Sequence, residues 1–188
     1  MTCVRPLLLA PLLAVAACTV SAPPPQQLPP QQPVLMGPFE PPQANFPQRM
    51  LAAHNRERAA AGVPPLTWNA SLAASAAAYG PALAALPSLA HSPDEQRRGQ
   101  GENLWMGTRD AFTLEAMVGS WAGEKRWFRP GTFPDVSTDG DWHTVGHYTQ
   151  MIWRTTTELG CALHQTQRWD YLICRYAPAG NVIGAPVP

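Results

Sequence analysis

Apolar and polar residues change period several times along the chain, and each change marks an element. From Leu159 to His164 and from Asp170 to Tyr176 they alternate with the two-residue period of strands. Setting Cys161 opposite Cys174 puts Leu163 opposite Leu172 and leaves about four residues for a turn. Cys161, Leu163, Leu172, Cys174 and Tyr176 then share one face of a hairpin. Upstream the period becomes helical. Leu114, Met117, Val118 and Trp121 fall on one side of a helix over Ala111–Trp127. Leu72, Tyr79, Leu83 and Leu86 give a buried side to a helix over Asn69–Ala85, with Asn69 as its cap and Gly80-Pro81 a point where it should kink or end. Pro47–Ala61 predicts a first helix, stopped by Gly62 and Pro64-Pro65, and Gly146–Trp153 a short last one. Leu66–Leu72 reads as a short entry into the second helix, the stretch near Leu104 as a strand, and Phe128–Trp142 as loop.

The beginning of the chain stands apart from this pattern. Met1–Ala17 has one positive charge, Arg5, before an apolar run broken by Pro11; the run is too short to span a bilayer and reads as a signal-peptide core. Val15-Ala16-Ala17-Cys18 resembles a bacterial lipobox, in which the cysteine is acylated and becomes the mature N-terminus. A plain signal peptide with a coincidental cysteine is the rival reading. Ser21–Pro47 holds ten prolines with glutamines between them, the composition of an extended tether with a reach on the order of 80 Å. The organisation expected is a leader over 1–17, a lipidated Cys18 with its tether over 18–45, and one domain over 46–188. Thr19 is not the aspartate linked to inner-membrane retention, which points the anchor to an outer membrane.

Charge narrows the function. The chain carries 13 basic and 13 acidic residues, and the balance persists from Gln43 onward. With no basic run, nucleic-acid binding and electrostatic attachment to a membrane have no support. Seven tryptophans suit an aromatic-rich core or a ligand groove. Cys3 and Cys18 belong to the leader and its edge, which leaves Cys161 and Cys174 to pair as a disulfide behind an export signal. Closing that loop stabilises by roughly 3 kcal/mol. A zinc pair would need a second Cys or His pair, and none is spaced to complete it.

Candidate chemistry centres on Gly146-His147-Tyr148-Thr149-Gln150-Met151-Ile152-Trp153-Arg154. His147 in a first helical turn is either a packed or a site histidine. His143 stands four residues earlier, the spacing of metal ligands on one helix, but Gly146 and the preceding loop break such a helix. His143 is therefore a loop residue at the rim of a site. This stretch resembles the first signature of the CAP superfamily: cysteine-rich secretory proteins, antigen 5 and plant pathogenesis-related 1 proteins. Tyr171-Leu172-Ile173-Cys174-Arg175-Tyr176 through Val182 resembles the second, and His54-Asn55-Arg56-Glu57-Arg58 and Gly101-Glu102-Asn103-Leu104 precede both in the family's order.

The resemblance implies an α+β fold, a three-layer α-β-α sandwich with a small antiparallel central sheet. It implies a structural role for His54, Asn55 and Arg58, which pin the first helix to neighbouring loops. It also maps a cavity onto His91, His147, Glu102 and Glu124, where two imidazoles hold Zn2+ or another divalent cation and the carboxylates support them. Glu124 near a helix C-terminus is a misfit with the macrodipole that favours a site role. The function implied is a non-catalytic binding module for a lipid, sterol, peptide or protein, and the lipobox-like segment and tether place it in a bacterial envelope, outside the cytoplasm. The alternatives are a metal-dependent or Ser-dependent hydrolase using Glu102, Glu124 or Ser92, and a structural envelope protein.

Overall fold

A computed structural model describes residues 43–97 and 99–188. The leader, Cys18 and the tether as far as residue 42 lie outside the described residues.

Alternation along the C-terminal hairpin organises the rest. β4 (Glu158–Gln165) and β5 (Trp169–Ala177) pair antiparallel in the expected register, Cys161 opposite Cys174 and Leu163 opposite Leu172. β2 (Gly101–Thr108) runs antiparallel along the other edge of β5, and the two-residue β1 (Thr67–Trp68) lies parallel to β4. The sheet order is β1-β4-β5-β2. One face carries Leu159, Cys161, Leu172, Cys174 and Tyr176. These pack on Met50 and Ala53 of α1 (Phe46–Ala60), on Met117, Val118 and Trp121 of α3 (Leu114–Ala122), and on Met151 of α4 (Gly146–Met151). The opposite face carries Tyr171, Ile173 and Leu104 against Ala76, Tyr79 and Leu83 of α2 (Ala70–Ala84). The layers are thus α-β-α, and the Cys161–Cys174 disulfide, between β4 and β5, is buried on the face that α1, α3 and α4 cover.

Several boundaries differ from expectation. The third helix is α-helical only over α3, where Thr113 caps it by accepting from Ala116 N–H, and Gly123–Trp127 continues as a 3-10 turn. Within Leu66–Leu72, Thr67–Trp68 forms a short strand, and Asn69 then caps α2 by accepting from the Ser71 and Leu72 N–H groups. The fourth helix ends at Met151, two residues early. α2 does not break at Gly80-Pro81. Proline disfavours helical geometry in the residue before it partly through that residue's Cβ, and Gly80 has none. A Cβ there would also lie 2.7 Å from the His164 side chain, and one at Gly160 would lie 2.2 Å from Ala73 N, so α2 rests directly on β4. A small sheet pairs β3 (Gly131–Thr132), inside the predicted loop region, with β6 (Pro186–Val187) near the end of the chain; both strands are too short for alternation to reveal.

His54, Asn55 and Arg58 of α1 are held by hydrogen bonds to the rest of the domain, whereas Gln48 and Arg56 are exposed. Asn55 binds both the N–H and the carbonyl of Leu66. Arg58 donates to the carbonyls of Pro64, Met151, Trp153 and Thr156 at 2.6 to 2.9 Å. His54 Nδ1 lies 2.8 Å from the Met50 carbonyl, so it carries the proton, and Nε2 accepts from Tyr176 OH at 2.8 Å.

Burial pushes the His54 imidazole down from 6.5 to about 4, and the Arg58 charge adds to this. The unfolded chain takes up a proton near 6.5 that the folded chain refuses until about 4. The stability contribution is therefore complete above pH 6.5 and is lost as pH falls toward 4, to an extent on the order of 3 kcal/mol. Urea unfolding across that window should show a steeper loss in the native protein than in a His54→Asn variant; parallel profiles would refute the buried neutral imidazole.

Candidate functional site

A cleft of about 430 Å³ opens where the loop before β2, the start of α4 and the segment after β5 converge; His91, Glu102, Asn103, Trp142, His143 and His147 are among its lining. Two carboxylates build its two sides.

Glu102 extends from β2 with its side chain fully buried. Its Oε1 lies 2.7 Å from His91 Nδ1 and accepts from Ser92 N–H, while Oε2 accepts from the Ser92 hydroxyl at 3.1 Å. Arg175 of β5 brings its Nε to 3.1 Å from Oε2, close enough for charge attraction but too poorly directed to count as a hydrogen bond. The same guanidinium donates to Ser92 Oγ at 2.9 Å. Burial alone would raise the Glu102 carboxyl; the His91 hydrogen bond, the Arg175 charge and the Ser92 N–H outweigh it and hold it below its ordinary value. Glu102 is thus an anion that only accepts. The His91 proton belongs on Nδ1, and in the neutral ring Nε2 keeps its lone pair. The His91 side chain is 56% exposed.

Glu124 does a second job besides orienting a ring. Its Oε1 lies 2.6 Å from His147 Nδ1, and its Oε2 accepts the backbone N–H groups of His147 and Tyr148, both at 3.0 Å. Val145 gives α4 no side-chain cap, so Glu124 caps that helix from the 3-10 turn after α3. The apparent misfit with the dipole is thereby resolved. The carboxylate stands beyond the α-helical part of its own element and faces the positive end of the next helix. The Trp121 ring lies parallel to that of His147, 6.0 Å away.

Other residues of the signatures hold this frame. Asn103 donates to the His147 carbonyl and to Tyr176 OH, which joins the cleft to the His54 network. Gln150 accepts from Gly180 N–H, and a Cβ on Gly101 would fall 2.0 Å from its side-chain oxygen. Thr149 and Asn181 join α4 to the segment after β5. The pattern of the chain gave no separate signal for Asn103, Gln150 or Arg175, although all three lie within the quoted motifs. Of the tryptophans, Trp142 lines the cleft, whereas Trp121 and Trp153 are buried in the core.

The structure therefore brings His91 to Glu102 and His147 to Glu124 around one cleft, with Ser92 buried behind the first pair. His143 also lines the cleft and is 70% exposed, its Nδ1 2.7 Å from Asp141 Oδ1. For a metal, the donor chemistry fits in part. The ring-holding carboxylates fix Nδ1 of His91 and His147 and leave Nε2 without a partner among the described residues, as in carboxylate–histidine–zinc units. As they stand, no three His, Cys, Asp or Glu side chains among the described residues are grouped to hold one ion.

The model of the CAP family, described as the cysteine-rich secretory protein family, matches residues 51–176. This chain belongs to the CAP family. The CAP domain is 40% identical over 141 residues to pathogenesis-related protein 1C of Nicotiana tabacum, covering 74% of this chain and 79% of that protein. It is 38% identical over 141 residues to pathogenesis-related leaf protein 4 of Solanum lycopersicum, covering 74% and 82%. Among solved structures it is similar to a crystal structure of NaASP2 with Zn2+, at a TM-score of 0.63 and 26% identity over 74% of this chain and 83% of that one. BmVAL-1 shares the fold, at a TM-score of 0.60 and 23% identity over 81% and 84%.

Removing the Glu124 cap should destabilise the CAP domain. Glu124→Ala is expected to lower unfolding free energy in urea by about 2 kcal/mol and to speed amide exchange at His147 and Tyr148. Unchanged exchange at those two amides would mean that α4 is capped by another group.

Proposed function

We propose that this CAP domain is a non-catalytic binding module that works outside the cytoplasm, with a cleft that takes a divalent cation, Zn2+ first, on His91 and His147. The observation that carries this reading is the engagement of both carboxylates. Glu102 is occupied by His91, Ser92 and Arg175, and Glu124 by His147 and the start of α4. Neither is left as an unencumbered general base, and the Ser92 hydroxyl is buried between Glu102 and Arg175. The free functional groups at the mouth are the imidazole Nε2 atoms, which bind metals in their neutral form. The presence of Zn2+ in NaASP2 supports the same reading. A bound cation would offer open coordination positions to a carbonyl or carboxylate of a peptide, protein or lipid ligand.

A location outside the cytoplasm is supported by the secretory description of the family and by a relative described as a secreted protein, RBT4 of Candida albicans. The finer reading is a bacterial envelope lipoprotein held by acylated Cys18, and it rests on the lipobox-like Val15-Ala16-Ala17-Cys18.

Calorimetric titration of zinc into the full chain and into a His91→Ala/His147→Ala double variant tests the cation site. The native chain should bind one equivalent in the cleft that the double variant loses. Equal heats from both would refute the site. Zinc-dependent turnover of peptide or ester substrates that disappears in Glu124→Gln would overturn the non-catalytic reading.

A further inference from the structure

A second pocket, of about 260 Å³, shares no lining residue with the histidine cleft. It lies between the first turn of α1, the start of α3 and the turn end of the β4–β5 hairpin. Ala111, Phe112, Leu114, Met117 and Leu163 give it an apolar lining, and Arg49 and Gln165 contribute polar groups. Leu114 and Met117 are buried, but the Phe112 ring, edge-on to Trp105 at 5.1 Å, is 49% exposed. Pockets that hold a separate drug-sized ligand measure roughly 300–1,000 Å³, so this one is of a size for a single large side chain.

The chain enters the domain at the rim of this pocket. Gln43 Nε2 lies 3.5 Å from Gln165 Oε1, and Gln165 in turn donates to Asp110 and Asp170, which also belong to the lining. Phe39 stands four residues before Gln43 and is the only aromatic residue among residues 1–42. Four extended residues span up to about 14 Å, enough to carry a side chain from the position of Gln43 into the pocket. We propose that Phe39, at the end of the Pro-rich tether, is the occupant of this pocket.

Sequence and physical chemistry favour this occupant over others. Pro38, Pro41 and Pro42 flank Phe39. Each proline fixes its own φ, and Pro41 restricts Glu40 to extended geometry, so ordering this stretch costs less entropy than ordering an ordinary one. Docking takes out of water a ring that a run of prolines gives nothing to pack on, and it covers the exposed Phe112. A Phe39 from a second copy and a detached apolar molecule are the rival occupants. Neither is delivered to the rim by a covalent link, whereas a side chain four residues away is present at an effective concentration on the order of millimolar. The folded unit then begins at Phe39 instead of Phe46.

Methyl NMR of the full chain tests this, with Phe39→Ala and, as a control elsewhere in the tether, Leu28→Ala. The Phe39 ring protons should show cross-relaxation with the methyls of Met117 and Leu163. Phe39→Ala should shift those methyl resonances at every protein concentration, and Leu28→Ala should leave them in place. Phe39→Ala should also bind the apolar dye anilinonaphthalene sulfonate at least about fivefold more tightly than the native chain, because the occupant that competes with the dye is gone. Methyl resonances that Phe39→Ala leaves unmoved, or equal dye affinity in the two chains, would overturn the proposal. Shifts that appear only as protein concentration rises would overturn it in favour of a second copy.

Discussion

The guanidinium of Arg58 sits among backbone carbonyls, and the placement of α4 depends on it. Burial pulls its pKa down to about 10, so it stays charged at neutral pH, and the carbonyls of Pro64, Met151, Trp153 and Thr156 replace its lost water. An α-helix of six residues has too few internal hydrogen bonds to persist alone. α4 is instead suspended from outside: Glu124 takes its first amides, Arg58 takes carbonyls at and beyond its end, and Gln150 and Thr149 tie its body to the segment after β5. His147 inherits its position from these attachments.

The other side of the cleft is built differently. His91 lies on a loop with no regular structure, and it is steadied by a carboxylate that belongs to the sheet. Glu102 on β2 and Arg175 on β5 are directly paired residues of adjacent strands, so the charge that orients His91 is compensated across one rung of the ladder. Burying such a pair is costly without good geometry, and the Ser92 amide and hydroxyl supply the additional bonds.

Much of this was legible in the sequence, for reasons that differ by element. The hairpin register followed from two-residue alternation, because a slip by one residue would turn Leu163, Leu172 and both cysteines to the wrong face. The cores of the helices followed from their apolar spacing. Their ends did not, since the 3-10 continuation after Ala122 and the passage of α2 through Gly80-Pro81 depend on tertiary contacts. The cleft was readable only through the resemblance of four motifs, because His91, Glu102, Glu124 and His147 come from separate segments. What no linear reading exposed is the double use of Glu124, whose partner amides lie 23 and 24 residues away. The resemblance implies a pinning role for Arg58 but not its targets, and the loop before Gly146 puts His143 at a rim without revealing its carboxylate.

The two sides of the cleft also belong to different layers. His91 is held by the sheet through Glu102, whereas His147 is held by the helical layer through Glu124 and α4. Their separation consequently measures how that layer sits on the sheet, as the gap of a caliper measures the position of its jaws. A ligand that contacted both imidazoles would therefore bridge the sheet and the helical layer.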